Sequence, residues 1–383
     1  MLDENEAGAP VDIASLAPAV KAALLEVLIH GELPRAEIAR RLHLSRASLT
    51  RITRILVDGG LLSEGGTRLM AQTGRPSEML RLRAEARHVL GIKLTGDGLF
   101  AVVTDLAATA IASVERPLLS TDPEAVVAEI ADVAAGFRAD FPDIVAVGVA
   151  LAGRVHQRGD GPFVEISEWL DWHDVPLGAM VRDAVGLPCA VENDVSALTA
   201  TEHWFGAGTG VDDMALITVG VGIGCGLVLN GSPVEGAHAR AGLVSHTIVD
   251  EAGPYCGLGH RGCVASLLTS GAIVGAYRTV GIDYAGVVAA AREGDPVARA
   301  IFDDAGRALG VLIAAVANLV DPQKVVVSGD GIAVVELGGD SMRAELARRL
   351  DGGAAPVDID VRTWDFSEWA RAGAGIAIRG MLS

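Results

Sequence analysis

From residue 89 the chain alternates short apolar runs with longer helical stretches, and that alternation restricts it to α/β layers. VLGIKL and LFAVVTDL read as strands separated by the turn TGDG. Residues 123–141 place Val126, Val127, Ile130, Val133 and Phe137 on one face of a helix. IVAVGVALAGRV reads as a buried strand entering a glycine turn, and MALITV, GLVLNG and KVVVSG read as later strands. ITVGVGIGCGLVLNG carries glycines at 220, 222, 224 and 226. That is either a plain hairpin or a turn whose backbone approaches a phosphate or sugar closely. A chain of 383 residues exceeds what one core usually serves, so more than one domain is expected.

The segment before residue 84 has a different character. Residues 35–58, RAEIARRLHLSRASLTRITRILVD, show two helical stripes, Ile38, Ala39 and Leu42, then Leu49, Ile52, Ile55 and Leu56. Ser45 is a good N-cap for the second. A helix, a tight turn and a second helix form a helix-turn-helix, whose second helix enters the major groove. Arg46, Ser48, Thr50, Arg51 and Arg54 face outward on it, all donors for phosphates and base edges, and Arg35 and Ser45 complete the set. GGLLSEGGTRLM reads as a wing, two strand-like pieces around a Gly-Gly turn with Arg68 on the return strand. TGRPSEML follows, where Arg75 can enter a minor groove. The alternative is a helical hairpin with a basic solvated face. Charge favours DNA: residues 18–83 hold eleven Lys plus Arg against six Asp plus Glu, a net +5 in a chain of net −18.

MLDENEAGAP is acidic and lacks a basic start followed by an apolar run. VLIAAVANLV (311–320) is shorter than the ~20 residues that span a bilayer. The expectation is a soluble, cytoplasmic protein without membrane contact. Four cysteines in this length do not make a disulfide framework. Cys189 and Cys225 read as core residues. In VENDVSALTA, Asn193 and Asp194 lie where an apolar strand gives way to a helix. Both types cap helices, and both hold ligands.

Taken together, the stretches resemble the ROK family of repressors, open reading frames and sugar kinases, from residue 18 to the end. The marks are collinear: VLGIKL, AGRV (152–155), WHDVPL (172–177), VENDVSAL, GVGIGCG, GLVSH (242–246) and CGLGHRGC. The head resembles the winged helix-turn-helix of the repressor branch, including the GRP after its wing. The resemblance implies an α/β fold: an N-terminal winged helix-turn-helix domain followed by an actin/hexokinase-like (ribonuclease H-like) two-lobed ROK domain. The boundaries expected are a tail over 1–17, the head over 18–72, a linker over 73–87 and the effector and oligomerisation domain over 88–383.

In family kinases an aspartate after asparagine activates the sugar hydroxyl, a role that falls on Asp194, with Asn193 as a sugar contact. Gly153, Arg154 and His246 match further sugar-contacting positions. The phosphate turns are broken. KLTGD has Lys93 at the strand end and Asp97 where the kinases keep a threonine, and Val221 replaces another threonine. Phosphoryl transfer depends on positioning and charge neutralisation, so no ATP chemistry is expected. Leu243 and Ala265 stand where the family has sugar-binding glutamates. Trp169 and Trp172 can stack on a sugar ring, although Trp172, within WHDVPL, better suits core or lid packing. Of the family's structural zinc site, His246, Cys256 and Cys263 remain, with Leu258 in place of a cysteine and His260 two residues beyond, so either these residues hold zinc or the metal is lost and the cysteines are buried thiols.

These readings converge on a regulator that binds operator DNA and senses a carbohydrate or sugar-phosphate effector, as a homodimer or homotetramer on paired half-sites. The competing readings are a sugar kinase with a DNA-binding head and a ligand-independent regulator controlled by a protein partner.

Overall fold

A computed structural model describes residues 11–69, 76–159, 161–363 and 365–382. The chain forms two compact units, one running to Gly210 and resuming at Phe366, the other spanning Val211–Asp365.

The first unit begins with α1 (Pro18–His30), β1 (Leu33–Pro34), α2 (Arg35–Arg41), α3 (Arg46–Asp58), β2 (Leu62–Leu69) and β3 (Pro76–Leu82). The three strands form an antiparallel sheet in the order β1-β3-β2, which makes this segment a winged helix-turn-helix. Two details differ from the sequence expectation. Gly65 does not turn the chain: β2 runs through it with a bulge between Glu64 and Thr67, and the return strand is β3, inside the stretch expected to be linker. A Cβ on Gly65 would lie 2.5 Å from Glu32 Oε1, the tip of a side chain that can move aside. Ile55 is exposed, and Thr53 takes its place in the buried stripe with Leu49, Ile52 and Leu56.

After a 3₁₀ turn (Ala84–Ala86) come β4 (His88–Leu94), β5 (Gly98–Asp105), β6 (Ala110–Pro117), α4 (Pro123–Asp140) and β7 (Ile144–Leu151). They continue as β8 (Arg154–Arg158), β9 (Gly161–Ser167), β10 (Trp172–Val175), α5 (Leu177–Val185), β11 (Cys189–Asn193) and α6 (Asp194–Phe205). The main sheet runs β11-β7-β4-β5-β6. β4 pairs parallel with β7 and antiparallel with β5. β4 and β7 are buried along nearly their whole length, as central strands covered on both faces must be.

The second unit contains β12 (Met214–Val219), β13 (Ile223–Leu229), β14 (Ser232–Pro233), α7 (Val264–Leu268), α8 (Ser270–Tyr277), α9 (Tyr284–Glu293) and α10 (Pro296–Val320). It ends with β15 (Lys324–Ser328), α11 (Ala333–Arg349) and β16 (Ile359–Val361). Its sheet, β14-β13-β12-β15-β16, repeats the topology of the first: three antiparallel strands, then two more joined in parallel. This duplicated five-stranded plan is that of the actin- and hexokinase-like folds.

The chain returns to the first unit through α12 (Phe366–Leu382). Glycines set its distance from the sheet. A Cβ on Gly148 would fall on the Gly373 carbonyl, and one on Gly91 would fall on the Ala370 carbonyl. At its far end Ala377, Ile378, Met381 and Leu382 share one apolar cluster with Val20, Leu24 and Val27 of α1 and with Trp204 of α6.

Candidate functional site

In the head, Ser45 caps α3: its Oγ accepts from the Ser48 N–H at 3.1 Å. The cap leaves the first turn of α3 exposed. Arg46, Thr50, Arg51 and Arg54 are exposed and Ser48 is half-buried. No acid pairs with Arg46, Arg51 or Arg54 among the described residues, so three guanidinium groups are available on one helix. Arg35 is placed differently. Its Nε donates to Thr53 Oγ1 at 3.2 Å, its Nη2 lies 2.5 Å from Glu64 Oε1, and its Nη1 pairs with Glu78. That guanidinium ties α2 to α3 and to both wing strands. Arg68 lies on β2, and Arg75 falls outside the described residues.

In the first unit, β11 ends beside β7, with Asn193 level with Leu151. Asn193 is the N-cap of α6: its Oδ1 accepts from the Val195 and Ser196 N–H groups at 3.0 and 3.2 Å. Its Nδ2 donates to the Gly153 carbonyl at 2.9 Å, which fastens the glycine turn after β7 to the start of α6. The capping role therefore belongs to Asn193.

Asp194 does something else. Its Oδ1 accepts from the Val195 N–H, and its Oδ2 takes the ammonium of Lys93 at 2.5 Å. Lys93 is level with Ala150 on β7 and its side chain is 6% exposed, against 15% for Asp194. The ammonium also lies 5.3 Å from the centre of the Trp369 ring on α12. The sequence presented Lys93 only as a missing acid. Its pairing with Asp194 had no local signal.

Around the neighbouring turn, a Cβ on Gly153 would meet the Ile166 carbonyl, and Ser167 Oγ donates to the Ala152 carbonyl at 2.7 Å. Arg154 Nε and Nη2 donate to Glu165 at 3.1 and 3.3 Å, and His156 Nε2 lies 2.7 Å from the same carboxylate. Hydrogen bonds from Arg154 and then His156 hold the Glu165 carboxyl down to about 2. Trp172 is core, donating Nε1 to the Thr121 carbonyl at 2.5 Å, whereas Trp169 is exposed. In the KLTGD turn, Thr95 Oγ1 donates to Asp97 at 2.9 Å, which keeps a carboxylate at the turn.

His246 belongs to the second unit, where it joins a side-chain cluster. Its Nδ1 lies 3.7 Å from both Cys256 Sγ and Cys263 Sγ, and His260 Nδ1 lies 3.6 Å from Cys256 Sγ. One ligand atom from each of the four lies within 4.8 Å of the others. Zinc bonds of about 2.0–2.3 Å require ligand-to-ligand edges of roughly 3.3–3.8 Å in a tetrahedron. The three Cys–His distances match such edges, and His260 would supply the fourth donor that Leu258 cannot. For Cys256, desolvation pushes the thiol up. Backbone hydrogen bonds at Leu258 and His260 and side-chain bonds at Cys263 and His260 outweigh it and bring the pKa down to about 6. Cys189 and Cys225 behave oppositely, pushed up to about 12 by burial. Leu243 and Leu258 are exposed, and Cys225 and Cys263 are buried.

The duplicated sheet, the winged head and the Asn-Asp step after β11 define a sugar-kinase-like body joined to a DNA-reading module. The chain belongs to the ROK family, which matches residues 89–377. The DNA-binding transcriptional dual regulator NagC of Escherichia coli (strain K12) is 26% identical over 324 residues, covering 79% of this chain and 77% of that protein. A ROK family transcriptional regulator, homologous to the Escherichia coli Mlc protein, superposes with a TM-score of 0.79 at 24% identity, covering 95% of this chain and 96% of that one. The ROK family glucokinase from Streptomyces griseus, solved with glucose and AMPPNP, gives a TM-score of 0.64 at 29% identity, covering 76% of this chain and 99% of its own. No helix among the described residues is long and apolar enough to cross a membrane.

Proposed function

We propose that this chain is a cytoplasmic transcriptional regulator that binds operator DNA through α3 and senses a carbohydrate or related small molecule in its ROK body, without transferring phosphate. The observation that carries the reading is the Lys93–Asp194 pair. A general base needs a carboxylate lone pair free to meet the substrate hydroxyl. Here a buried ammonium pairs with Oδ2 and the Val195 N–H donates to Oδ1. The remaining lone pairs can still accept from a ligand hydroxyl, but taking up its proton would break the ion pair with Lys93. The same ammonium places positive charge at the end of β4, where a metal-held phosphoryl group would need negative ligands.

The DNA contacts are assigned to Arg46, Ser48, Thr50, Arg51 and Arg54, with Arg68 of β2 and with Arg75 of the GRP sequence. Arg35 acts inside the head, as its three partners support. Gly153, Arg154, Asn193 and Asp194 are assigned to ligand binding in the first unit, and His246 is assigned a ligand contact within the second. His246, Cys256, His260 and Cys263 hold a structural zinc, which would fix the loop that carries His246. Paired half-sites imply a homodimer or homotetramer.

The test is a mobility-shift titration on genomic fragments with a panel of sugars, amino sugars and their phosphates. Operator binding altered by one of them supports the reading. Sugar-dependent ATP turnover that disappears in Asp194→Asn overturns it and makes the chain a kinase. Operator binding insensitive to every ligand points instead to control by a protein partner, a reading favoured by exposed Leu243 where the family has a sugar-binding glutamate.

A further inference from the structure

The second unit carries a backbone nest that the sites above do not use. β12 and β15 lie side by side in parallel, with Thr218 level with Ser328. The chain leaves both strands at the same edge of the sheet, through Gly220-Val221-Gly222 and Gly329-Asp330-Gly331. Loops at the carboxyl ends of parallel strands are where open α/β sheets take ligands. Gly329 holds φ +116°, and the Gly331 N–H reaches back to the Val219 carbonyl at 2.8 Å. The two turns are thereby held against each other.

Asp330 sits between them. Burial pushes its carboxyl up, and the backbone N–H groups of Asp330 itself, Val221 and Gly331 act against that shift. Oδ1 lies so close to Gly220 that a Cβ there would overlap it. Converging N–H groups beside a position without a Cβ make a cradle for an anion. The anion in it is part of the chain. Next to this turn, Ser270 donates its N–H to the Gly220 carbonyl at 2.9 Å, and its buried Oγ has no partner among the described residues.

We propose that Asp330 is a built-in anion that closes this nest to phosphate, so that the second unit excludes nucleoside di- and triphosphates. The inference rests on the reading that no phosphate is transferred, and it locates a second reason for that in a residue far along the chain from Asp194. An incoming phosphate has to displace the carboxylate that lies against Gly220 between the two glycine turns. It also meets a carboxylate of like charge at contact range, so competition and repulsion act in the same direction.

Isothermal titration of the full chain with ADP, with and without Mg²⁺, tests this in the wild type, Asp330→Gly and Asp330→Asn. The wild type is expected to give no saturable binding. Asp330→Gly, which removes the charge and opens the cradle, is expected to bind at least about tenfold more tightly. Asp330→Asn keeps the side-chain volume, removes the charge and is expected to fall between them. Equal behaviour of the wild type and a natively folded Asp330→Gly, whether both bind or neither does, overturns the proposal. If Asp330→Gly does not fold, Asp330→Asn decides alone: tighter binding supports the plug and unchanged binding overturns it. Sugar-dependent ATP turnover by the wild type tests the no-transfer reading separately, so failure of that reading and failure of the plug are distinguishable.

Discussion

Lys93 Nζ stands 2.5 Å from Asp194 Oδ2, joining the end of β4 to the first residue of α6 across 101 residues of sequence. Both side chains are largely buried, so each charge depends on the other for its solvation. Removing one partner of such a pair leaves an uncompensated charge. Lys93→Met is expected to lower the unfolding free energy by about 3 kcal/mol, read by urea denaturation. A matched Lys93→Met, Asp194→Leu double variant is expected to recover much of that loss. A Lys93→Met chain as stable as the wild type would show that the pair carries no weight in the fold.

Asp194→Asn keeps an acceptor next to Lys93 and leaves the Asn193 cap untouched. The ion pair becomes a weaker, neutral-acceptor hydrogen bond. The variant is expected to fold and bind operator while responding more weakly to effector. Effector titrations of operator release measure this, and an unchanged response would remove Asp194 from the ligand site.

The arginines of the head separate into two groups. Arg46→Ala and Arg51→Ala are each expected to weaken operator binding by ~1–3 kcal/mol where they touch base edges, without changing the melting temperature. Arg35→Ala is expected to do the reverse. It releases Thr53, Glu64 and Glu78 and lowers the stability of the head by about 1 kcal/mol, a figure reduced because both carboxylates are more than half exposed. Mobility shift and thermal melting on the same preparations distinguish these outcomes.

Zinc content tests the metal loop. Protein purified without chelator is expected to carry one zinc per chain, lost in His260→Ala and retained in Leu258→Ala, since Leu258 is exposed and offers no donor. Chelation is expected to lower the melting temperature, because metal binding to the folded loop adds to its stability. Full zinc occupancy in His260→Ala would mean that a different fourth ligand completes the site.

The approach of α12 to the first sheet depends on glycine. Gly148→Ala places a methyl group on the Gly373 carbonyl, backbone against backbone, where no side chain can move aside. Overpacking of this kind is expected to cost about 3 kcal/mol. Gly136→Ala, on the open face of α4 with nothing nearby, is expected to be neutral or slightly stabilising. Denaturant midpoints for the two variants provide the comparison.

Local chemistry determined most of the elements. The 123–141 stripe became α4, Ser45 capped α3, and MALITV, GLVLNG and KVVVSG became β12, β13 and β15, because periodicity and capping act within a few residues. The collinear ROK motifs were likewise legible, since they are strings of neighbouring residues. What only the tertiary structure decided involves residues far apart in the chain or a choice between local conformations of similar cost. Gly65 read as a turn and lies inside β2, where the pairing with β3 shifts register between Glu64 and Thr67. Arg35 read as a DNA contact and lies among Thr53, Glu64 and Glu78. Lys93 read as a lost acid and is the partner of Asp194, while Asp330 carried no signal until β15 brought it against Gly220. A charge's role depends on which opposite charge or N–H group folding brings within a few ångströms, and one-dimensional spacing does not encode that distance.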